Sequence, residues 1–223
     1  IESRHLGLKT AGEIAGLQQK IALLADALVL DWVQLQALTD RPAPQAQPAA
    51  RAPARTRIAV AQDEAFCFAY AETLEALTAA GAALVPFSPL HDAALPPELG
   101  GLYLPGGYPE LYAGPLSENR SMLASVRQAV EHGLPTVAEC GGFLYLGQTL
   151  EDADGAVWPM AGVLPGSGFP VGRLVRFGYA ELTARADSLL FRAGESFPAH
   201  EFHHWDSTAN GTALTAAKAN GRS

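Results

Sequence analysis

Residues 135 to 147 read PTVAECGGFLYLG and set a thiol between two contrasting stretches. Residues 135 to 138 are apolar and read as the end of a buried strand. Cys140 falls at the turn, followed by Gly141 and Gly142, with Phe143-Leu144-Tyr145-Leu146 at a helix start. A strand, a tight turn and a helix with small residues beside the nucleophile form an elbow, which lifts a reactive side chain clear of the sheet. The glycines let a substrate approach without a Cβ in the way, and the helix N-terminus favours thiolate over thiol. A cysteine alone at a strand end is ordinarily inert packing; the paired glycines turn the reading toward a nucleophile.

Two further groups complete such a chemistry. Pro105-Gly106-Gly107 ends another apolar run, and its backbone N–H groups, with that of Gly141, suit an oxyanion hole for a tetrahedral intermediate at Cys140. A thiol attacking a carboxamide also needs a base that later protonates the leaving amine, and one histidine can serve both steps. The run His200-Glu201-Phe202-His203-His204-Trp205 holds three of the six histidines. On a strand, His203 and Glu201 would share a face and His204 would point the other way. No cysteine or third spaced ligand joins the cluster, so no metal site is expected. His5, His91 and His132 read as surface or packing residues, and Glu139 as structural. Cys67, within Ala65-Phe66-Cys67-Phe68-Ala69-Tyr70, reads as buried packing. Tyr108-Pro109-Glu110-Leu111 would either line the pocket mouth or shape the loop.

The elements that position these groups follow an alternating pattern. Ile58-Ala59-Val60-Ala61 reads as a strand, residues 70 to 77 as a helix ending near Gly81, and Ala83-Leu84-Val85-Pro86-Phe87 as the next strand. Gly101-Leu102-Tyr103-Leu104 is a third strand, residues 121 to 132 a helix closed by Gly133, and the Cys140 strand follows. Alternating strands and helices imply an α/β fold, with a mostly parallel sheet and helices on both faces. Ligands of such sheets bind at the carboxyl ends of the strands, where Cys140 and the Gly106-Gly107 turn fall. Beyond Gly155 the pattern loosens, with short strands around residues 174 to 182 and 199 to 203. Residues 1 to 40 form a separate unit: Ile14, Leu17, Ile21, Leu24 and Leu28 recur at helical spacing, and a second helix starts at Asp31 with Leu35 and Leu38 facing inward. Residues 41 to 56, rich in Pro, Ala, Gln and Arg, read as an interdomain linker.

Bulk properties narrow the function. The 223 residues carry 15 Lys and Arg against 23 Asp and Glu, a formal charge of −8, which disfavours nucleic acid or an anionic membrane as a partner. Two cysteines give neither a disulfide framework nor a zinc motif. No apolar run approaches the length of a membrane span, and a cytoplasmic protein is expected. The start at Ile1 suggests a piece of a longer polypeptide.

In sequence, residues 57 to 205 closely resemble the class I glutamine amidotransferase domain at the C-terminal end of cobyrinic (or hydrogenobyrinic) acid a,c-diamide synthases. The resemblance rests on Ala65-Phe66-Cys67-Phe68-Ala69-Tyr70, Phe87-Ser88-Pro89-Leu90, Pro105-Gly106-Gly107-Tyr108-Pro109-Glu110, Ala138-Glu139-Cys140-Gly141-Gly142, Phe177-Gly178-Tyr179 and His200-Glu201-Phe202-His203. It implies a flavodoxin-like three-layer fold over residues 57 to 223, with this domain expected to be truncated at its C-terminus. Residues 1 to 40 then correspond to the tail of an ATP-binding synthase domain, which Glu2-Ser3-Arg4-His5-Leu6-Gly7-Leu8 also resembles. The resemblance implies Cys140 as nucleophile, His203 as its base, and Gly106, Gly107 and Gly141 as the oxyanion and substrate-binding glycines. Where most class I members carry a glutamate two residues after the histidine, this chain has Trp205, so a Cys-His dyad is implied, with Glu201 as a substitute orienter.

L-glutamine is the implied substrate of this domain. The a and c acetate carboxylates of a corrin macrocycle, with or without cobalt, would be amidated in the N-terminal synthase domain. ATP and Mg²⁺ would act in that domain, since no GxxxxGK[ST] run occurs here. Whether the protein forms a homodimer is left open. Rival readings are a cobyric acid synthase-type amidotransferase, a non-catalytic docking module on the same fold, and a cysteine peptidase. His200 and the Phe202 context favour the a,c-diamide branch over the first of these.

Overall fold

The computed structural model describes residues 11–40, 53–174 and 177–218. The chain divides into two compact units, residues 1–50 and 51–223. Residues 1–10 of the expected synthase-domain tail (residues 1 to 40), and most of the expected linker, lie outside the described residues. Thr56, the last linker residue by sequence, already belongs to the first strand.

In the first unit a 3-10 turn at Ala11–Glu13 precedes helix α1 (Leu17–Ala27) and helix α2 (Trp32–Thr39). Asp31 caps α2 by accepting from the Gln34 N–H at 3.0 Å, which satisfies one of the donors a helix start leaves orphaned. Leu35 and Leu38 do not face inward: they are 38 % and 73 % exposed, and neither helix contains a buried residue. Two short helices offer too little chain to close around an apolar face.

The second unit is built on strands β1 (Thr56–Ala61), β2 (Ala82–Phe87), β3 (Gly101–Leu104) and β4 (Thr136–Ala138), which form one parallel sheet in the order β2-β1-β3-β4. All four residues of β3 and the last three of β1 are buried, as expected of strands covered on both faces. Helix α3 (Ala71–Ala79) connects β1 to β2. Its end is set by Gly81, whose φ of 97° suits glycine. Between β3 and β4 lie a 3-10 turn at Pro109–Leu111, helix α4 (Ala113–Glu118) and helix α5 (Arg120–Glu131). Asn119 caps α5 through its side-chain oxygen, while its Nδ2 donates to the carbonyls of Pro89 and Asp92 at 2.8 and 2.9 Å. Leu116, Met122 and Val126 from these helices join Ala59, Leu102 and Leu104 in the core.

Strand order reverses between β1 and β3, and in sheets of this kind ligands bind beyond the carboxyl ends of the strands at such a switch point. The β1 loop is fixed by Asp63, whose carboxylate accepts from the N–H groups of Ala65 and Phe66 at 2.9 and 3.0 Å. The same carboxylate accepts from Ser88 Oγ at 2.8 Å and the Leu90 N–H at 2.9 Å, tying the β1 and β2 loops together.

After β4 come helix α6 (Gly141–Tyr145) and strands β5 (Thr149–Glu151), β6 (Val157–Pro159), β7 (Ser167–Pro170), β8 (Phe177–Ala184), β9 (Ser196–Phe202), β10 (Trp205–Ser207) and β11 (Leu214–Ala217). The looser pattern beyond Gly155 therefore resolves into two small sheets, ordered β10-β7-β5-β6 and β11-β8-β9. The second is antiparallel throughout. Among the described residues no single helix is long and apolar enough to cross a membrane.

Candidate active site

Cys140 stands where β4 has ended and α6 begins. The Glu139 N–H donates to the Leu104 carbonyl at 3.0 Å and carries the β3–β4 ladder one residue beyond the strand. The chain then turns sharply: Cys140 has φ 49° and ψ −111° and caps α6. That conformation is outside the regions open to ordinary L-residues and stores about 1–3 kcal/mol of strain. The bonds Gly142 N–H to Glu139 carbonyl (2.8 Å) and Leu144 N–H to Cys140 carbonyl (3.2 Å) close the turn.

The glycines are dictated by how closely this turn approaches its neighbours. A Cβ on Gly142 would sit 2.2 Å from the Leu104 carbonyl oxygen, and one on Gly107 would sit 2.0 Å from that of Ala65. A Cβ on Gly141 would meet Pro109 Cδ at 2.7 Å and the Gly107 nitrogen at 3.2 Å. The β3 loop is pinned as firmly, since the Phe68 N–H donates to the Gly106 carbonyl at 3.0 Å and the Tyr108 N–H to the Ala65 carbonyl at 2.9 Å. The rings of Phe68 and Tyr108 meet edge to face at 5.0 Å.

These contacts bring Gly106, Gly107, Gly141 and Cys140 together. The Gly141 and Gly107 N–H groups lie beside the Cys140 sulfur, where they favour the thiolate. Gly106 contributes space, the site of its missing Cβ being 3.4 Å from Cys140 Cβ. Cys140 is exposed, yet protein atoms crowd its sulfur, and this desolvation pushes the thiol pKa above its ordinary value. The Gly141 N–H opposes the rise, the carboxylates of Glu110 and Glu139 add to it, and the Gly107 N–H opposes it more weakly. The expected preference for thiolate at a helix N-terminus is thus reversed, because desolvation outweighs the amide dipoles. Glu110, only 5 % exposed, is the contributor that sequence reasoning did not assign. Its burial on the turn behind Gly107 was the signal, one visible only after folding.

Glu139 accepts from the Tyr103 hydroxyl at 2.6 Å, in keeping with a structural role. Burial first, and then the adjacent carboxylate, push the Tyr103 pKa up, which keeps the phenol a donor.

His203 lies in the turn between β9 and β10 and not on a strand, so the shared face expected with Glu201 does not form. Its Nδ1 is 2.6 Å from the Trp205 carbonyl oxygen, while the Glu201 carboxylate is paired with Lys218 at 2.8 Å. Trp205 is held by its indole Nε1–H, which donates to the Glu151 carbonyl at 2.8 Å. The His204 carbonyl accepts from the Val171 N–H at 3.0 Å. His91 pairs with Glu64 on the surface at 2.9 Å, His132 Nδ1 sits 2.6 Å from the Gln128 carbonyl, and His5 lies outside the described residues. Cys67 is half-buried.

Residues 57–222 match the CobB/CobQ-like glutamine amidotransferase domain. The chain belongs to that family. Curated relatives named cobyrinate a,c-diamide synthase include that of Caldanaerobacter subterraneus subsp. tengcongensis, 41% identical over 208 residues, covering 92% of this chain and 46% of the relative. That of Salmonella typhimurium is 41% identical over 226 residues, covering 98% and 49%. The Synechocystis sp. protein is 40% identical over 217 residues, covering 91% and 43%. The chain thus spans about half the length of the curated relatives it matches. Among solved structures, a chain in the structure of PurLQS from Thermotoga maritima matches with a TM-score of 0.51 and 16% identity, covering 73% of this chain and 75% of that one. This is a likeness of fold, and it agrees with the α/β class I amidotransferase architecture expected from the sequence.

Proposed function

We propose that this chain is the glutamine-hydrolysing part of an ATP-dependent cobyrinate or hydrogenobyrinate a,c-diamide synthase. The observation that carries the reading is the strained elbow conformation of Cys140, with the Gly107 and Gly141 N–H groups beside its sulfur, in a chain of the glutamine amidotransferase family. The names of the relatives favour the a,c-diamide branch over the cobyric acid branch.

The sulfur attacks the side-chain carboxamide carbon of L-glutamine as His203 takes the thiol proton. A thiol held protonated by desolvation needs such a base, and it becomes nucleophilic only as the proton leaves. The Gly107 and Gly141 N–H groups stabilise the oxyanion, with Gly106 leaving room for it. Protonated His203 gives its proton to the leaving nitrogen, the C–N bond breaks, and ammonia departs from a glutamyl thioester. Water then cleaves the thioester to glutamate and restores the thiol.

ATP and Mg²⁺ serve a separate synthase portion, where the a and c acetate carboxylates of the corrin are activated for amidation. This chain carries no GxxxxGK[ST] loop to hold them. Residues 1–40 belong to that portion and residues 41–56 link it to the amidotransferase domain. The support for this division is the exposed apolar surface of α1, α2 and the segment between them, including Val29 at 95 % and Trp32, Val33 and Leu38. Such a surface suits burial against more protein. The setting is cytoplasmic.

The test is a glutaminase assay with a glutamine-analogue electrophile as active-site label. Cys140→Ala is expected to lose both glutaminase activity and labelling. In the full-length enzyme, amidation with added ammonia is expected to persist. Loss of ammonia-dependent amidation in that variant would overturn the division of labour, and labelling no greater than that of background thiols would favour a docking module.

A further inference from the structure

The Nδ1 of His203 lies 2.6 Å from the backbone carbonyl oxygen of Trp205. A carbonyl oxygen has lone pairs and no proton, so a contact of this length requires hydrogen on Nδ1. In neutral imidazole that leaves Nε2 as the bare nitrogen, directed away from the carbonyl. We infer that the Trp205 carbonyl sets the tautomer and ring orientation of His203, making Nε2 the atom that accepts the thiol proton. The inference rests on the reading of His203 as the base.

Trp205 is suited to this positioning role because its carbonyl is fixed from several sides. Its indole donates to the Glu151 carbonyl at 2.8 Å, and its backbone pairs with Pro170 across β10 and β7. The side chain also packs against the core cluster. Residue 204, between the histidine and this anchor, is held through its carbonyl by the Val171 N–H. The carboxylate nearest in sequence, Glu201, is committed to Lys218. A backbone carbonyl can set the tautomer of a histidine in the place a carboxylate holds elsewhere. His203 is therefore oriented for proton transfer by its own chain.

The decisive measurement is ¹⁵N NMR of the imidazole nitrogens in the intact protein carrying Cys140→Ser, labelled with ¹⁵N-histidine, at neutral pH. The His203 resonances, assigned by their loss in His203→Gln, are expected to show a protonated Nδ1 and a bare Nε2. A protonated Nε2 with a bare Nδ1 would overturn the inference while leaving His203 open as a catalytic group. In parallel, Trp205→Phe keeps an aromatic ring but removes the bond to Glu151. It is expected to lower glutaminase kcat about tenfold with KM unchanged and to yield a mixed tautomer signal. Wild-type kcat with an unmixed signal in that variant would remove the indole anchor from the account. His203→Gln separates the layers: retained glutaminase activity there would sink the base reading itself, whatever the tautomer.

Discussion

The Tyr103 hydroxyl reaches across from β3 to the carboxylate of Glu139, 2.6 Å away, one residue before the elbow cysteine. This bond crosses from the strand that ends in the Gly106-Gly107 turn to the strand that ends in Cys140. It therefore couples the two loops whose N–H groups converge on the sulfur. Tyr103→Phe removes the donor and leaves a carboxylate short of a partner. Hydrogen bonds to charged groups contribute about 1.5–3 kcal/mol, so a loss of about 2 kcal/mol in urea unfolding is expected, with a fall in glutaminase kcat. Unchanged stability and rate would show that the elbow does not depend on this tie.

The thiol's environment predicts a pH dependence. With Cys67→Ser leaving a single cysteine, alkylation of Cys140 by iodoacetamide tracks the thiolate. Its midpoint is expected above the ordinary thiol value, because desolvation first, and the carboxylates of Glu110 and Glu139 with it, prevail over the two N–H groups. The sign for stability follows. The folded state holds this proton more tightly than the unfolded state, so the contribution is fully present below the unfolded pKa and is lost as pH rises through the folded one. Cys140→Ala should remove that alkaline decline. A midpoint below neutrality would instead show a resting thiolate–imidazolium pair.

The glycines separate into two classes by substitution. A Cβ on Gly142 collides with the Leu104 carbonyl at 2.2 Å, a backbone atom that cannot swing aside. Gly142→Ala is expected to lower the unfolding free energy by about 3 kcal/mol or more. At Gly106 the nearest atom is Cys140 Cβ at 3.4 Å, an ordinary contact. Gly106→Ala should fold normally, while its methyl intrudes on the space beside the sulfur and depresses kcat/KM. Circular dichroism melts read alongside a glutaminase assay distinguish the two, and a Gly106→Ala enzyme of full activity would remove that residue from the substrate's path.

Much of this architecture was legible because the signals were local. The apolar runs at 58–61, 83–87 and 101–104 became β1, β2 and β3, and Gly133 closed the helix it was expected to close. The Cys140-Gly141-Gly142 spacing predicted a turn whose close approach to Leu104 admits only glycine. Other features left no such mark. Helix α4 has six residues with Gly114 and Pro115 inside it, too short for a periodicity to show. Strands β5, β6 and β10 have three residues each and gain their order from pairing. The elevated thiol pKa comes first from desolvation by packed atoms, with a smaller push from Glu110, thirty positions away along the chain. The partner of His203 is a backbone carbonyl, which every residue type possesses, so the identity of Trp205 gave no hint of it. Assigning Glu201 as the orienter assumed that β9 ran through His203; it stops at Phe202.

The elbow's backbone makes a final prediction, in which activity and stability move in opposite directions. At φ 49° and ψ −111° any side chain with a Cβ is strained, by about 1–3 kcal/mol. Glycine adopts this conformation freely but loses more entropy on folding, about 0.5–1 kcal/mol relative to alanine. Cys140→Ala keeps the Cβ and the strain, whereas Cys140→Gly sheds both. The glycine variant should therefore be more stable than the alanine variant by about 1 kcal/mol, measured by chemical denaturation below pH 7, where the thiol's titration plays no part. Neither variant should hydrolyse glutamine. If the alanine variant were the more stable, the strain would lie elsewhere than at this residue, and the case for a turn held against its own preference in order to present the sulfur would fail.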